Sequence, residues 1–279
     1  MLLVTGGKGQ LGTELSKILP NAIYTDIEEL DITNELAVRR FVTSNKIKTI
    51  INCAAYTAVD RAEDDIEAAT KINVDGPRNL ARSGAKIIHI STDYVFDGMN
   101  YRPYRPNDIT NPISVYGKTK LAGERAVFEN AYVATVIRTA WLYSPYGNNF
   151  VKTMRRLGAE HESINVVTDQ IGSPTYAGDL AAAIVKILPQ INTKNRGIYH
   201  FTNSGVCSWY DFATEIMNMS GLKCVVNPIS SDEYPTRAKR PFYGVLDKSK
   251  IQKTFGIEIN HWKKSLAKCI NQLNTQNTK

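Results

Sequence analysis

Met1-Leu2-Leu3-Val4-Thr5-Gly6-Gly7-Lys8-Gly9-Gln10-Leu11-Gly12 opens the chain and decides how the rest is read. Leu2 to Val4 is a short apolar run of the kind that forms a buried strand, and a helical pattern runs from about Gln10 to Leu19. Between them glycines stand at 6, 9 and 12. Gly6 permits a tight turn, Gly9 lets a backbone approach a pyrophosphate, and Gly12 lets the next helix pack close to the sheet. The helix start offers free N–H groups and a positive dipole end to phosphate. Many glycine-rich stretches are only tight turns. This one joins a strand to a helix, and Asp26 ends the second strand twenty residues after Gly6, where an acid can bind a ribose hydroxyl. A dinucleotide site on Gly6, Gly9, Gly12 and Asp26 is the expectation. Asp26 favours NADH by accepting from the 2′-hydroxyl, whereas Lys8 can attract the 2′-phosphate of NADPH, so both cofactors are expected to serve.

Working outward, further apolar runs lie at about 22–25, 49–54, 86–91 and 133–138. Helical patterns separate them. One follows Asp31-Ile32-Thr33 and carries Val38, Phe41 and Val42 on one face. Others run from Asp65 to Ser83 and from Leu121 to Glu129. Near-continuous apolar strands alternating with helices predict an α/β fold with a doubly wound parallel sheet, the Rossmann architecture. The Pro-, Asn-, Asp- and Tyr-rich stretch from Met99 to Pro112 reads as a loop. Residues 1–144 are expected to form the NAD(P)-binding domain. Residues 145–279 are expected to be mainly a smaller C-terminal substrate-binding lobe, with segments near 177–202 joining the first domain. Helices are expected at Asp179 to Leu188, Trp209 to Met219 and Leu266 to Leu273.

Composition narrows the partners. The chain has 279 residues, 43% of them hydrophobic, enough to bury a core. Its formal charge of +7 is spread along the chain without a basic run, which fits an anionic small substrate better than nucleic acid. The four cysteines and four histidines are scattered, with neither a CxxC pair nor metal-ligand spacing. No apolar run is long enough for a membrane span, and the first residues lack the charged start of a secretory leader. A cytoplasmic protein is the expectation.

Tyr116 and Lys120 stand four apart, which at a helix start puts both on one face. A tyrosine hydroxyl has an ordinary pKa of about 10, and a nearby cation lowers it, so the pair is a tunable proton donor. Tyr-x-x-x-Lys is common and usually only a helix face. Here it follows a strand ending in Ser91-Thr92-Asp93, and in doubly wound sheets ligands bind outside the carboxyl ends of the strands. Thr92 is placed to hydrogen-bond the oxygen that Tyr116 protonates, with Ser91 turned inward. In the loop-like stretch before Pro241, Lys239 and Arg240 can meet a diphosphate, Arg240 in bidentate fashion.

Taken together, TGGKGQLG, NCAAYTAVD, STDYVFDG, YGKTKLAGE, RTAWLY, NNFVKTM and DQIGSPT resemble the extended short-chain dehydrogenases, most of all the dTDP-4-dehydrorhamnose reductase family. The resemblance covers nearly the whole chain. It implies NADPH- or NADH-dependent reduction of the C4 ketone of dTDP-4-dehydro-L-rhamnose by a monomer or homodimer. It implies that Gln10, Leu11 and Gly12 hold the pyrophosphate, that Asp31 and Ile32 lie on the adenine side, and that Ala55, Tyr56 and Thr57 flank the cofactor. Thr92, Asp93 and Trp141 match substrate contacts. Tyr116 matches the proton donor, and Lys120 the residue that binds the nicotinamide ribose and tunes the tyrosine. Two departures stand out. Lys8 replaces the usual Asn. Some members bind magnesium through acids on three helices; Glu14 and Asp179 match two of these, but Leu266 to Leu273 contains no acid, so no metal is expected.

Two other functions fit the same fold. In a sugar-nucleotide epimerase or dehydratase, dehydratases place an Asp-Glu pair after the threonine, whereas Asp93 here is followed by Tyr94. In a non-catalytic dinucleotide-binding regulatory subunit, Tyr116 and Lys120 would have no use.

Overall fold

The computed structural model describes residues 1–276. Six strands form the central sheet: β1 (Leu2–Thr5), β2 (Ile23–Thr25), β3 (Thr49–Asn52), β4 (Lys86–Thr92), β5 (Ala134–Thr139) and β6 (Gly197–His200). All pair in parallel, in the order β6-β5-β4-β3-β1-β2. The chain reverses direction between β1 and β3, so the turn after β1 opens at the topological switch point where such sheets bind ligands.

Neighbouring apolar residues on each strand serve opposite faces, as the period of two requires. Val4, Ile51, Ile88 and Ile137 pack with α1 (Gln10–Ile18) and with the helix Ala177–Ile187. Leu3, Ile50, Ile87 and Val136 pack on the other side with α2 (Glu35–Ser44), α3 (Gly76–Arg82) and α4 (Val115–Asn130). Being buried on both faces is what made these strands continuous apolar runs. A third core unites the helices Phe150–Glu160, Trp209–Ser220 and Trp262–Gln276 around Phe212, Ile216 and Leu266.

The structure refines three of the expected elements. First, the region read as one helix from Asp65 to Ser83 is continuously helical from Ile66 to Arg82, with a π turn, Lys71–Asp75, between Ile66–Thr70 and α3; a separate short helix, Val59–Ala62, precedes it. The π turn widens the backbone and presents the Asn73 side chain to the Tyr56 backbone and to the Thr119 hydroxyl. Second, α4 spans Val115–Asn130, which includes Leu121 to Glu129 and puts Tyr116 and Lys120 in its first turns, the helix start expected from their spacing. Ser114 caps it by accepting from the Gly117 N–H at 3.1 Å. Third, the sheet has a sixth strand, β6, which pairs with β5 through Ile198 and Tyr199. Among the described residues no helix is long and apolar enough to cross a membrane.

Candidate active site

The carboxyl ends of β1, β3, β4 and β5 open into one cleft of about 840 Å³. Its wall at β1 is the glycine loop. Gly6 has φ of +72°, a left-handed conformation, and a Cβ there would sit 2.7 Å from the Ala54 nitrogen. At Gly12 a Cβ would lie 2.3 Å from the Gly6 carbonyl oxygen, so only glycine lets α1 start this close to the loop. No side chain caps α1 and no acid stands in its first turn. Its first N–H groups are left to an anion, which fits the pyrophosphate of a dinucleotide.

Asp26 lines the same cleft and accepts from the Lys8 backbone N–H at 2.8 Å, so it shapes the glycine loop. The Lys8 ammonium lies outside the cleft wall, 2.8 Å from Glu28 and 3.8 Å from Glu29. It offsets three acids at this rim, and its loss leaves them facing any 2′-phosphate. Lys8→Asn should therefore raise the KM for NADPH a few-fold and change that for NADH less. Equal changes for both cofactors would show that Lys8 does not sense the 2′-phosphate.

Asp31, Ile32, Ala55 and Thr57 also line the cleft, beside Gln10 and Leu11. Tyr56 does not. Its side chain turns to Asp65, the hydroxyl donating at 3.3 Å, and only its backbone stays with the Ala55–Thr57 stretch.

At the far wall Thr92, Asp93, Tyr116 and Lys120 come together. At Gly117 a Cβ would meet the Tyr94 carbonyl oxygen at 2.2 Å, so α4 rests directly on the turn after β4. That contact sets Tyr116 beside Thr92. The Thr92 hydroxyl donates to Asp93 at 3.1 Å and accepts from the Tyr94 N–H at 3.1 Å. Burial pushes the Tyr116 phenol up to about 12; a hydrogen bond with Thr92 acts against this, and the Asp93 charge adds to it. Burial likewise raises the Asp93 carboxyl to about 7, against hydrogen bonds from Thr92 and from backbone N–H groups. Asp93 Oδ2 is buried without a partner. Near neutral pH this carboxyl can therefore be protonated and donate to a ligand.

Lys120 is 2% exposed, and burial lowers its ammonium to about 8, although the Glu124 charge opposes that. Its Nζ donates to the Ile90 carbonyl at 2.7 Å. The ammonium is thus turned to the strand carbonyl, and burial is the largest influence on the Tyr116 phenol.

Trp141 lies in the cleft wall with φ of +49°, uncommon for any residue but glycine and a conformation that the surroundings must enforce. It stacks on Trp209 with ring centroids 3.6 Å apart. The sequence pointed to Trp141 but not to Trp209, which also lines the cleft. Trp209 follows the Ser208 cap at the start of the helix expected from Trp209 to Met219, and the sequence signalled the helix but not its place in the cleft. Arg240 is outside the cleft wall. It holds Asp60 in a bidentate pair at 2.6 and 3.2 Å, and this bond keeps the Asp60 carboxyl below the usual range.

Among the described residues no three of His, Cys, Asp and Glu gather as metal ligands do. The Asp179 carboxylate receives hydrogen bonds from Asn203 at 2.7 Å and from Ser265, and Lys268 approaches it at 3.5 Å.

Glycine loop, switch point and Tyr–Lys pair define a class, the NAD(P)H-dependent oxidoreductases on a doubly wound sheet. Comparison with known proteins narrows it. Residues 1–275 match the model of the RmlD substrate binding domain. A dTDP-4-dehydrorhamnose reductase from Aggregatibacter actinomycetemcomitans is 44% identical, over 95% of this chain and 96% of that protein. The crystal structure of a dTDP-4-dehydrorhamnose reductase from Clostridium acetobutylicum superposes with a TM-score of 0.94 at 47% identity, covering 98% of this chain and 99% of that one. That of the Bacillus anthracis reductase in complex with NADP superposes at 0.93 and 41% identity, covering 97% and 98%. The chain belongs to the dTDP-4-dehydrorhamnose reductase family of extended short-chain dehydrogenases.

Proposed function

We propose that this protein reduces the C4 ketone of dTDP-4-dehydro-L-rhamnose to the alcohol, giving dTDP-L-rhamnose, with NADPH or NADH. The observation that carries this reading is the single cleft that joins an uncapped glycine-loop helix to Thr92, Tyr116 and Lys120. The reduced nicotinamide, when bound, supplies the hydride. The residues do the rest. Gln10, Leu11 and Gly12 would present N–H groups to the pyrophosphate, and Gly9, whose N–H is held by the Gly6 carbonyl at 3.1 Å, lets the backbone come close to it. Asp26 accepts from the adenosine ribose, and Asp31 and Ile32 border the adenine. The backbone of Ala55 to Thr57 closes the opposite side.

Thr92 and Tyr116 hold the ketone oxygen, Tyr116 delivers its proton, and Asp93, protonated near neutral pH, donates to a sugar hydroxyl. Lys120 would bind the nicotinamide ribose, and its ammonium would favour the Tyr116 phenolate. Trp141, braced by Trp209, forms an apolar wall against the sugar. Of residues 145–276, those that do not complete the sheet form the lobe that covers the nucleotide-sugar. The turn after Thr92 supports reduction rather than dehydration, since Tyr94 stands where a second acid would be needed.

Purified protein mixed with NADPH and the 4-keto sugar nucleotide should consume cofactor and sugar one to one, with dTDP-L-rhamnose as product. No loss of absorbance at the reduced-nicotinamide band with either cofactor would contradict the proposal.

Arg240 enters this reading by exchange. Its guanidinium pairs with Asp60, which follows Val59 of the cleft wall, and a diphosphate offers it a second bidentate acceptor. Arg240→Ala should raise the KM for the sugar nucleotide about tenfold, the order of a lost charged hydrogen bond, and leave the cofactor KM alone. An unchanged substrate KM would confine Arg240 to its bond with Asp60.

A further inference from the structure

Beneath Thr92, Tyr116 and Lys120 lies a buried charge pair that none of these steps uses. Glu124 and Arg138 are each 1% exposed. Arg138 Nε donates to Glu124 Oε1 at 2.8 Å, and Nη2 donates to Oε2 at 2.7 Å. Ser91 Oγ donates to the same Oε1 at 2.5 Å. Burying two charges is costly even when they are paired, and apolar residues of equal volume often stabilise a fold as well. Stability alone is therefore a weak reason for this triad.

The elements it joins are the ones that carry the reaction. Ser91 precedes Thr92 on β4. Arg138 on β5 is the residue in register with Ser91. Glu124 lies one helical turn beyond Lys120 and two beyond Tyr116 on α4. One carboxylate thus ties the strand end bearing Thr92 to the helix face bearing Tyr116 and Lys120.

The same carboxylate bears on the Lys120 charge. The titratable groups facing Lys120 are Glu124 and Tyr116 from its own helix, Cys53 from the end of β3 and His89 from β4. Burial pushes the Cys53 thiol and the Tyr116 phenol up to about 12, and holds His89 neutral, well below its ordinary value. Among them Glu124, paired with Arg138, is the largest influence that favours the ammonium.

We propose that Glu124 is a positioning residue for the reduction: held by Arg138 and Ser91, it fixes Thr92 against Tyr116 and Lys120 and sets its carboxylate one helical turn from the Lys120 ammonium. This rests on the reading of Tyr116 and Lys120 given above. The test uses the full-length protein with NADPH and the 4-keto sugar nucleotide, in the variants Ser91→Ala, Glu124→Gln and Lys120→Met.

Ser91→Ala removes one hydrogen bond and leaves the charge pair intact. It should lower kcat about tenfold, since small misplacements of reacting groups cost that much or more, and leave both KM values within about twofold. Glu124→Gln should move the alkaline limb of the kcat/KM profile about one pH unit lower, because the group that raised the Lys120 pKa is gone. Where thermal melts show that Glu124→Gln does not fold around the unpaired Arg138, the kcat of Ser91→Ala decides alone. Wild-type kcat in Ser91→Ala, or an unmoved limb in folded Glu124→Gln, overturns the proposal while Lys120→Met remains impaired. Near-normal turnover by Lys120→Met instead removes the Tyr116–Lys120 reading, and the role of Glu124 with it.

Discussion

Replacing Tyr116 by phenylalanine is expected to lower kcat about 10²–10⁴-fold, the range for lost general acid catalysis, while NADPH binding stays close to wild type. Reduction of a ketone builds negative charge on its oxygen, and that charge needs a donor already in place. Tyr116 stands at the cleft wall beside Thr92, on a helix whose start is fixed by the Ser114 cap and by the contact at Gly117. Phenylalanine keeps the ring and its edge-on contact with Tyr94, whose centroid is 5.5 Å away, so little packing is lost. The cofactor loop is untouched. Stopped-flow turnover and fluorescence titration of NADPH separate the two effects. A variant that turns over at near wild-type rate would move the proton to another group, with Asp93 the first to examine.

Lys120→Met should damage both turnover and cofactor affinity, with kcat down about 10²-fold and the Kd for NADPH up about tenfold. One ammonium is assigned two tasks, the ribose hydroxyls and the Tyr116 phenolate. Its lowered pKa of about 8 adds a pH signature. The charged form prevails below that value and is lost as pH rises through it, so wild-type kcat/KM should fall on the alkaline side from about pH 8. Lys120→Met should lack this limb. Unchanged NADPH affinity would detach Lys120 from the ribose, and a persisting limb would assign the titration to a different group.

The sheet could be read from sequence because burial on both faces writes itself as continuous apolar runs, as at Ile50-Ile51 and Ile87-Ile88. The glycine loop was readable for a steric reason: positions 6 and 12 admit no side chain. The π turn was not readable. No glycine or proline marks it between Ile66 and Asp75, and Asn73 within it bonds to Tyr56 and to Thr119, which only tertiary structure brings near. β6 is four residues long and carries a glycine and a fully buried histidine, so neither length nor alternation marked it.

Within the site, spacing found Tyr116 and Lys120 because both lie on one helix, and Thr92 because it ends a strand. Trp209, the Arg240–Asp60 pair and the Glu124–Arg138–Ser91 triad each join segments far apart in the chain, and no local pattern reports such meetings. The orientation of Lys120 toward Ile90 is a matter of side-chain conformation, which spacing does not specify.

The most direct measurement is transfer of label from deuterated cofactor to sugar. NADPH carrying deuterium at nicotinamide C4 on the transferred face, or NADH labelled alike, is incubated with the 4-keto sugar nucleotide, and the product is read by NMR. One deuterium at the sugar's C4, with one cofactor oxidised per product, is the predicted result. Solvent hydrogen at the sugar's C3 or C5 without net oxidation of cofactor would instead identify an epimerase or dehydratase. No transfer at all, from a protein that still binds the cofactor, would leave it a non-catalytic dinucleotide-binding subunit.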